Sequence, residues 1–118
     1  MKGWPLVLAL VFMASGPART ETQAEMTRVP QFENARAVSW KSIIPPHTSS
    51  TLHRHDRFRT VIAIAGGDLT LVDPDGRKTV THYEAGKAYW QTPMPPGAMH
   101  KDVNETGATI ELVVVEIK

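Results

Sequence analysis

From residue 36 onward, apolar and polar residues follow one another in short runs that are separated by turn-forming residues. Residues 37–44 alternate and end at Pro45-Pro46, and the apolar run 60–65 ends at Gly66-Gly67. Apolar residues do not recur at the 3.6-residue spacing of a helix. The pattern therefore predicts β-strands and no helix in this part of the chain.

The remaining strands are expected between the other turns. They are predicted at 68–72, 78–83, 88–91, 100–103 and 109–117. Asp73-Pro74-Asp75-Gly76 is predicted to close a hairpin, because proline presets φ and glycine takes a positive φ. So many short strands are typical of a β-sandwich or barrel, and closure protects the sheet edges of a short chain. We predict an extended N-terminal arm at 25–35 and one β-barrel domain at 36–118.

The first 24 residues show the order of regions found in a secretory signal peptide. Lys2 is followed by an apolar run at 6–14 and then by small residues. That run is too short for a membrane-spanning helix, which needs about 20 apolar residues. We predict cleavage after Ala24, with cleavage after Ala18 as the alternative. The mature protein is then expected to be periplasmic or secreted, with no membrane contact.

The composition of the 118-residue chain excludes several classes of protein. The formal charge is only +1 with acidic and basic residues mixed, whereas nucleic-acid binders usually carry a basic excess. The chain contains no cysteine, which excludes disulfides, thiolate metal sites and a cysteine nucleophile. Hydrophobic residues make up 42%, a normal fraction for a globular domain. We therefore expect one folded domain and no nucleic-acid partner.

The five histidines are the main candidates for chemistry. His53 and His55 are two residues apart, so on a strand both imidazoles would face the same side and could bind one ion. Such a pair also arises by chance. His100 strengthens the interpretation, because it follows a Pro- and Gly-containing loop that fixes where the next strand begins. His82 has no such partner and is expected on the surface.

The loop before His100 carries a recognisable motif. Its pattern is P-x-G-x-x-H-x-x-x-N, formed by Pro95, Gly97, His100 and Asn104. Glycine permits a backbone angle closed to other residues, and the asparagine can close the next turn with its side chain. This pattern resembles the end of the second motif of the cupin family.

A degraded form of the first cupin motif, G-x5-H-x-H-x3-E-x6-G, is also legible. Its histidines fall on His53 and His55, and its last glycine falls on Gly66. The resemblance covers roughly residues 36–117. It implies an all-β fold, a single cupin-type β-barrel or jelly roll. It also implies that His53, His55 and His100 bind a divalent transition metal, which could be Zn, Fe, Ni, Cu or Mn.

Two positions depart from the first motif, where His47 replaces the opening glycine and Arg59 replaces the glutamate. A guanidinium has no lone pair for a metal, and Asp56 has the wrong parity to act instead. Without a carboxylate, Mg²⁺ and Ca²⁺ are disfavoured. If Arg59 enters the pocket, it would attract an anionic substrate. Alternatively, Arg59 lies with Arg54 and Arg57 on a solvated surface.

Two further residues are proposed to contact substrate. Tyr89 and Trp90 have opposite parity, so one of them should face inward, and Trp90 is the substrate contact that we propose. Core packing is the alternative role for this aromatic pair. His47 could reach the substrate if the loop after Pro46 folds over the barrel mouth.

Two functions fit these residues. One is a metal-dependent oxygenase or isomerase that acts on a small anionic molecule. The sequence identifies no clear catalytic base for it, and His47 is a candidate only if the loop after Pro46 folds over the barrel mouth. The other is a non-catalytic periplasmic protein that binds a small ligand or a metal. Since cupins commonly pair through their sheet edges, the resemblance also implies a homodimer.

Overall fold

The computed structural model describes residues 2–3 and 25–118. The predicted signal peptide, residues 1–24, lies outside the described residues apart from residues 2–3. Residues 25–118 contain eight strands: β1 Thr27–Glu33, β2 Ala37–Ile44, β3 Arg59–Ala65, β4 Gly67–Val72, β5 Lys78–Tyr83, β6 Ala88–Gln91, β7 Lys101–Val103 and β8 Ile110–Ile117. Within these same ranges, no helix is long and apolar enough to cross a membrane.

The all-β prediction is confirmed, and the strands predicted from the apolar pattern agree with β2 to β8 to within one residue at each end. The segment predicted to form an extended arm, residues 25–35, contains β1, which pairs antiparallel with β2 at the edge of a sheet.

The strands form two antiparallel sheets. The larger sheet has the order β1-β2-β8-β3-β6, and the smaller has the order β5-β4-β7. Because successive residues of a strand face opposite sides, β8 buries Ile110, Leu112 and Val114 while the residues between them stay partly exposed. Leu69 and Tyr83 of the smaller sheet join the same core cluster. The apolar core is therefore built from one face of each sheet.

The irregular segment 47–53 extends the smaller sheet alongside β7. Isolated bridges join Ser49 to Val103 and His53 to His100. The Ser50 N–H donates to the carbonyl of Asp102 at 2.8 Å. The segment thus acts as a short, imperfect outer strand, and it brings the first two histidines next to the third.

Asn104 fixes the end of this pairing. Its side chain is fully buried and donates to the carbonyls of Ile44 and Ala108, at 2.9 and 2.8 Å. Its Oδ1 accepts from the backbone N–H of Thr106 at 3.0 Å, which closes the turn as the sequence predicted. One side chain therefore anchors the end of β2, the turn after β7 and the chain entering the 47–53 segment.

Gly66 allows the chain to pass from β3 in the larger sheet to β4 in the smaller one. A Cβ at this position would collide with the carbonyl oxygen of Tyr83. Only glycine permits so close an approach of two backbones, so the two sheets can meet here.

Candidate metal centre

The three histidines predicted to bind metal lie together in the structure. His53, His55 and His100 each place one ring nitrogen in a group whose three atoms lie within 4.8 Å of one another. The ring centroids are 4.9 Å apart for two of the pairs and 5.6 Å apart for His55 and His100. Imidazoles this close form a compact group of nitrogen donors.

The way in which the histidines converge differs from the sequence prediction. His53 and His55 do not lie on a regular strand, since only His53 forms a bridge, and so strand parity does not account for their orientation. His53 and His100 exchange two backbone hydrogen bonds, of 2.8 and 2.9 Å. His55 is held from the other side, because its carbonyl accepts from the N–H of Met94 at 2.8 Å. Backbone pairing between segments that are far apart in the sequence therefore determines where these rings lie.

The loop before His100 is fixed by its own backbone and by Arg54. Gly97 has φ of 78°, the left-handed angle that the motif predicted for it. The Arg54 guanidinium donates to the carbonyls of Pro95 and Ala98, at 3.3 and 2.8 Å. It also pairs with Asp56 at 2.7 Å. Arg54 therefore ties the first motif to the second, and Asp56 is exposed and paired with Arg54.

His53 presents a free nitrogen that suits a metal ion. Its Nδ1 lies 2.9 Å from the carbonyl oxygen of Thr51, and because a carbonyl can only accept, Nδ1 carries the proton. In the neutral ring Nε2 then has a lone pair. Nε2 is buried and has no hydrogen-bond partner among the protein groups. Metal-binding histidines have this arrangement, in which one nitrogen is held by a backbone carbonyl and the other is free.

The other two imidazoles are held in the form that binds metal. Burial, with the Arg59 cation and the neighbouring imidazoles, lowers the pKa of His55 from 6.5 to about 3. Burial also lowers the pKa of His100, although the nearby Asp102 carboxylate acts in the opposite direction. Both rings are therefore neutral near pH 7, and only a neutral imidazole has a lone pair for a metal.

Asp102 is a member of this group that the sequence analysis missed. Its carboxylate oxygens lie 3.5 Å from Nε2 of His53 and 3.6 Å from Nε2 of His100. The sequence did contain an indication, because Asp102 is two residues beyond His100 and so faces the same side of β7.

Arg59 enters the pocket, so the alternative of a solvated Arg59 is wrong. Its side chain is buried, with the residue only 7% exposed. Nη2 donates to Oε1 of Gln91 at 2.6 Å, while Nη1 is buried without a hydrogen-bond partner among the protein groups. Burial lowers the pKa of Arg59. Arg57, by contrast, is half exposed and lies 3.6 Å from Glu116 on the surface.

These side chains line a cavity of about 1040 Å³ between the sheets. Its wall includes the three histidines, Arg59 and Asp102, together with Trp40, Tyr83, Gln91, Leu112 and Val114. His47 also lines it, at the rim, where the residue is exposed and has φ of 56°. The cavity therefore joins a polar, histidine-rich wall to an apolar interior.

Trp90, proposed from the sequence as a substrate contact, is outside this cavity. It is 61% exposed, and its ring stacks on Phe58 with 5.6 Å between centroids. The reason is register: Trp90 pairs with Thr60, whereas Tyr89 pairs with the buried Val61. Directly paired residues share a face, so Tyr89 faces the core and Trp90 faces solvent.

Known proteins resemble this chain in structure more clearly than in sequence. No family model matches the sequence, and no curated protein matches it significantly. A cupin domain from Bordetella pertussis Tohama I superposes with a TM-score of 0.71 at 24% identity, covering 82% of this chain and 97% of that one.

Two other solved structures have slightly higher identity. A Cupin 2 conserved barrel domain protein from Salinispora arenicola gives a TM-score of 0.53 at 27% identity, over 79% of this chain and 74% of its own. The polyketide cyclase RemF from Streptomyces resistomycificus gives 0.57 at 25% identity, over 78% and 64%. In each case the similarity extends over most of the chain.

Proposed function

The chain has the double-stranded β-helix fold of the cupin superfamily, to which it belongs, and on that premise we propose that it binds one divalent transition-metal ion. His53, His55 and His100 are the proposed ligands, and the adjoining cavity is the proposed site for a small anionic molecule.

The observation that carries this proposal is the unpaired Nε2 of His53. A buried nitrogen lone pair without a partner costs on the order of 1–3 kcal/mol. Such a cost is expected where the group has a function, and two neutral imidazoles beside it make a metal ion the natural partner. Nitrogen donors favour Zn²⁺, Fe²⁺, Ni²⁺, Cu²⁺ or Mn²⁺ over Mg²⁺ and Ca²⁺.

Arg59 supports an anionic ligand. The buried guanidinium has one hydrogen bond, to Gln91, and a second nitrogen without a protein partner. A carboxylate is the group that best matches the planar fork of donors of an arginine. The cavity volume of about 1040 Å³ slightly exceeds the usual range for small-molecule sites, which runs to about 1,000 Å³.

Within this site, a metal-dependent oxygenase or isomerase is the first candidate function. A transition metal with open positions would supply Lewis-acid or redox chemistry. Arg59 would orient the anionic part of the substrate, and the apolar walls would exclude water. One fold neighbour is a polyketide cyclase, so the fold is known to house catalysis.

A non-catalytic protein that binds a metal or a small ligand is the second candidate. The protonated state of Tyr83, which lines the cavity, favours it. Burial raises the pKa of Tyr83, which stays protonated near pH 7 and cannot act as a base. Apart from the proposed ligands, the side chains of the cavity wall that could accept a proton include His47, which lies at the exposed rim, and the carboxylates of Glu25 and Asp102.

Metal analysis of protein purified without a histidine tag tests the proposal. We expect one transition-metal ion per chain. Oxygen uptake by the iron-loaded protein with small carboxylates, or their isomerisation, would then favour the enzyme. Retention of metal without turnover across a broad carboxylate panel would favour the binding protein, and a chain that retains no metal would contradict the proposal.

We also propose that the mature protein is exported and forms a homodimer. Every residue of β1 is exposed, including Val29 and Phe32, and in the part of the chain that the structure describes β1 is an edge strand. A second copy could pair along such an edge. Size-exclusion chromatography with light scattering should give twice the mass of the chain, and a monomer at high concentration would contradict this proposal.

A further inference from the structure

The carboxylate of Asp102 occupies a position that the proposed metal site leaves unexplained. It approaches two of the three histidines from β7, whereas Arg59 belongs to β3. We propose that Asp102 is a fourth protein ligand of the metal and substitutes for the carboxylate that Arg59 displaced from the first motif. This inference rests on the proposed function, because it requires that a metal is bound.

The distances fit ligation better than they fit hydrogen bonding. The two contacts, of 3.5 and 3.6 Å from Asp102 oxygens to Nε2 atoms, exceed the usual 2.7–3.2 Å of an N–H···O hydrogen bond. Two ligand atoms that each lie about 2.1 Å from one ion, at a tetrahedral angle, are separated by about 3.4 Å. The observed spacing therefore leaves room for an ion between the carboxylate and these two imidazoles. The ligand atoms that lie within 4.8 Å of one another are those of the three histidines, so the Asp102 side chain would have to move toward the ion when it binds.

The backbone contact of His53 points the same way. In the neutral ring Nδ1 donates to the carbonyl of Thr51, so Nε2 directs a lone pair into the space that it shares with the Asp102 carboxylate. A lone pair and an anionic oxygen repel each other unless a positive charge lies between them. A divalent cation would satisfy both groups at once.

The backbone holds Asp102 firmly in this place. Its N–H donates to Oγ of Ser50 at 2.8 Å, and its carbonyl accepts from the Ser50 N–H at 2.8 Å. It also pairs with Leu71 of β4 in the smaller sheet. The carboxylate is thus carried by paired strand, as a ligand that must be preorganised would be.

This arrangement separates two tasks. Asp102 offsets part of the metal charge from one wall, so the Arg59 position no longer has to supply a ligand. Arg59 is then free to bind an anion, and its hydrogen bond to Gln91 holds the guanidinium in place. The site would then offer three nitrogen ligands and one oxygen ligand to the metal, and Arg59 would supply a cation that binds the substrate.

The test compares Asp102→Asn with Asp68→Asn. Asp68 is a suitable control because it also lies beside a histidine, His82, but on the exposed surface. We would measure zinc affinity by competition with a chelator, and the absorption spectrum of the Co²⁺-loaded protein. Asp102→Asn should weaken zinc binding by on the order of 100-fold or more and change the cobalt spectrum. Asp68→Asn should leave both unchanged.

The outcomes separate this inference from the proposed function. If His53→Ala abolishes metal binding but Asp102→Asn keeps the wild-type affinity and cobalt spectrum, Asp102 is not a ligand and the three-histidine site stands. If the unmodified protein binds no transition metal, both fail.

A measurement on the unmodified protein keeps the inference testable should Asp102→Asn not fold. Infrared difference spectra of protein labelled with ¹³C-aspartate, with and without zinc, should show one aspartate carboxylate whose stretching bands shift on metal binding. If no labelled carboxylate band shifts, the inference is overturned.

Discussion

The smaller sheet carries two groups in which histidine lies beside aspartate, one on each of its faces. On the outer face, His82 of β5 is paired in register with Asp68 of β4, and Nδ1 lies 2.6 Å from Oδ1. On the inner face, Asp102 of β7 lies 3.5 and 3.6 Å from His53 and His100. The outer side chains are 71% and 59% exposed, whereas Asp102 is 18% exposed.

The two groups differ in whether their polar atoms have hydrogen-bond partners. The outer pair closes an ordinary hydrogen bond in water, and exposed pairs of this kind contribute at most about 1 kcal/mol to stability. The inner group is largely buried, its carboxylate and imidazoles are too widely spaced for hydrogen bonds, and it contains a nitrogen without a partner. Identical residue types therefore mark a candidate site only where burial leaves their bonding capacity unused.

The largest expected effect comes from removing one histidine from each face. His53→Ala should abolish stoichiometric metal binding, because it removes the unpaired nitrogen, whereas His82→Ala should retain full metal content. Elemental analysis of both purified variants measures this. Loss of metal in both variants, or in neither, would remove the distinction between the two faces.

Asn104→Ala tests whether the inner group depends on the pairing of the 47–53 segment with β7. The change leaves the buried carbonyls of Ile44 and Ala108 without their donor. We expect the free energy of unfolding to fall by roughly 3 kcal/mol, measured by urea denaturation. Asp68→Asn, on the outer face, should cost less than about 1 kcal/mol. Equal costs would show that Asn104 is not the anchor.

Arg59 and Arg57 extend the comparison to cations, since one is buried and the other faces solvent. Arg59→Met should weaken binding of the best small carboxylate by roughly 30-fold, because it removes a charge-assisted contact worth about 2 kcal/mol. Arg57→Met should change it little. Isothermal titration of the metal-loaded variants measures both affinities. A similar loss in both variants would indicate long-range attraction instead of direct contact.

The smallest effect concerns Tyr83, whose raised pKa follows from burial. The folded protein keeps the phenol proton to a higher pH than the unfolded chain, which titrates at about 10. The stability that this group contributes is therefore complete below about pH 10 and is lost as the pH rises above it. The stability difference between wild type and Tyr83→Phe, from urea unfolding at pH 8–11, should shrink above pH 10. A stability difference that does not change with pH would show that the Tyr83 hydroxyl is exposed to solvent.

Much of the fold followed from short-range chemistry that is visible in the sequence. The turns at Asp73-Pro74-Asp75-Gly76 and at Gly97 need particular backbone angles, and the structure has φ of 86° at Gly76 and 78° at Gly97. The strands between these turns were located almost to the residue because each is bounded by such signals. The proximity of the three histidines was anticipated as well, through the spacing of the two motifs.

The inward and outward faces were harder to assign. In β3, Thr60, Ile62 and Ile64 are as compatible with a core as Val61 and Ala63 are, so alternation did not indicate that Arg59 faces inward. Trp90 was misplaced for the same reason. Which face is buried depends on pairing register with distant strands, and that information is not local.

The sequence by itself determined where the strands and turns lie, because backbone angles and strand periodicity depend on neighbouring residues. Only the tertiary structure decided which polar side chains meet in the cavity. Asp102 joins His53 through the pairing of β7 with the 47–53 segment, and Arg59 meets Gln91 through the register of β3 with β6. His82 and Asp68 show the converse, because their pairing puts them together on the face that solvent covers.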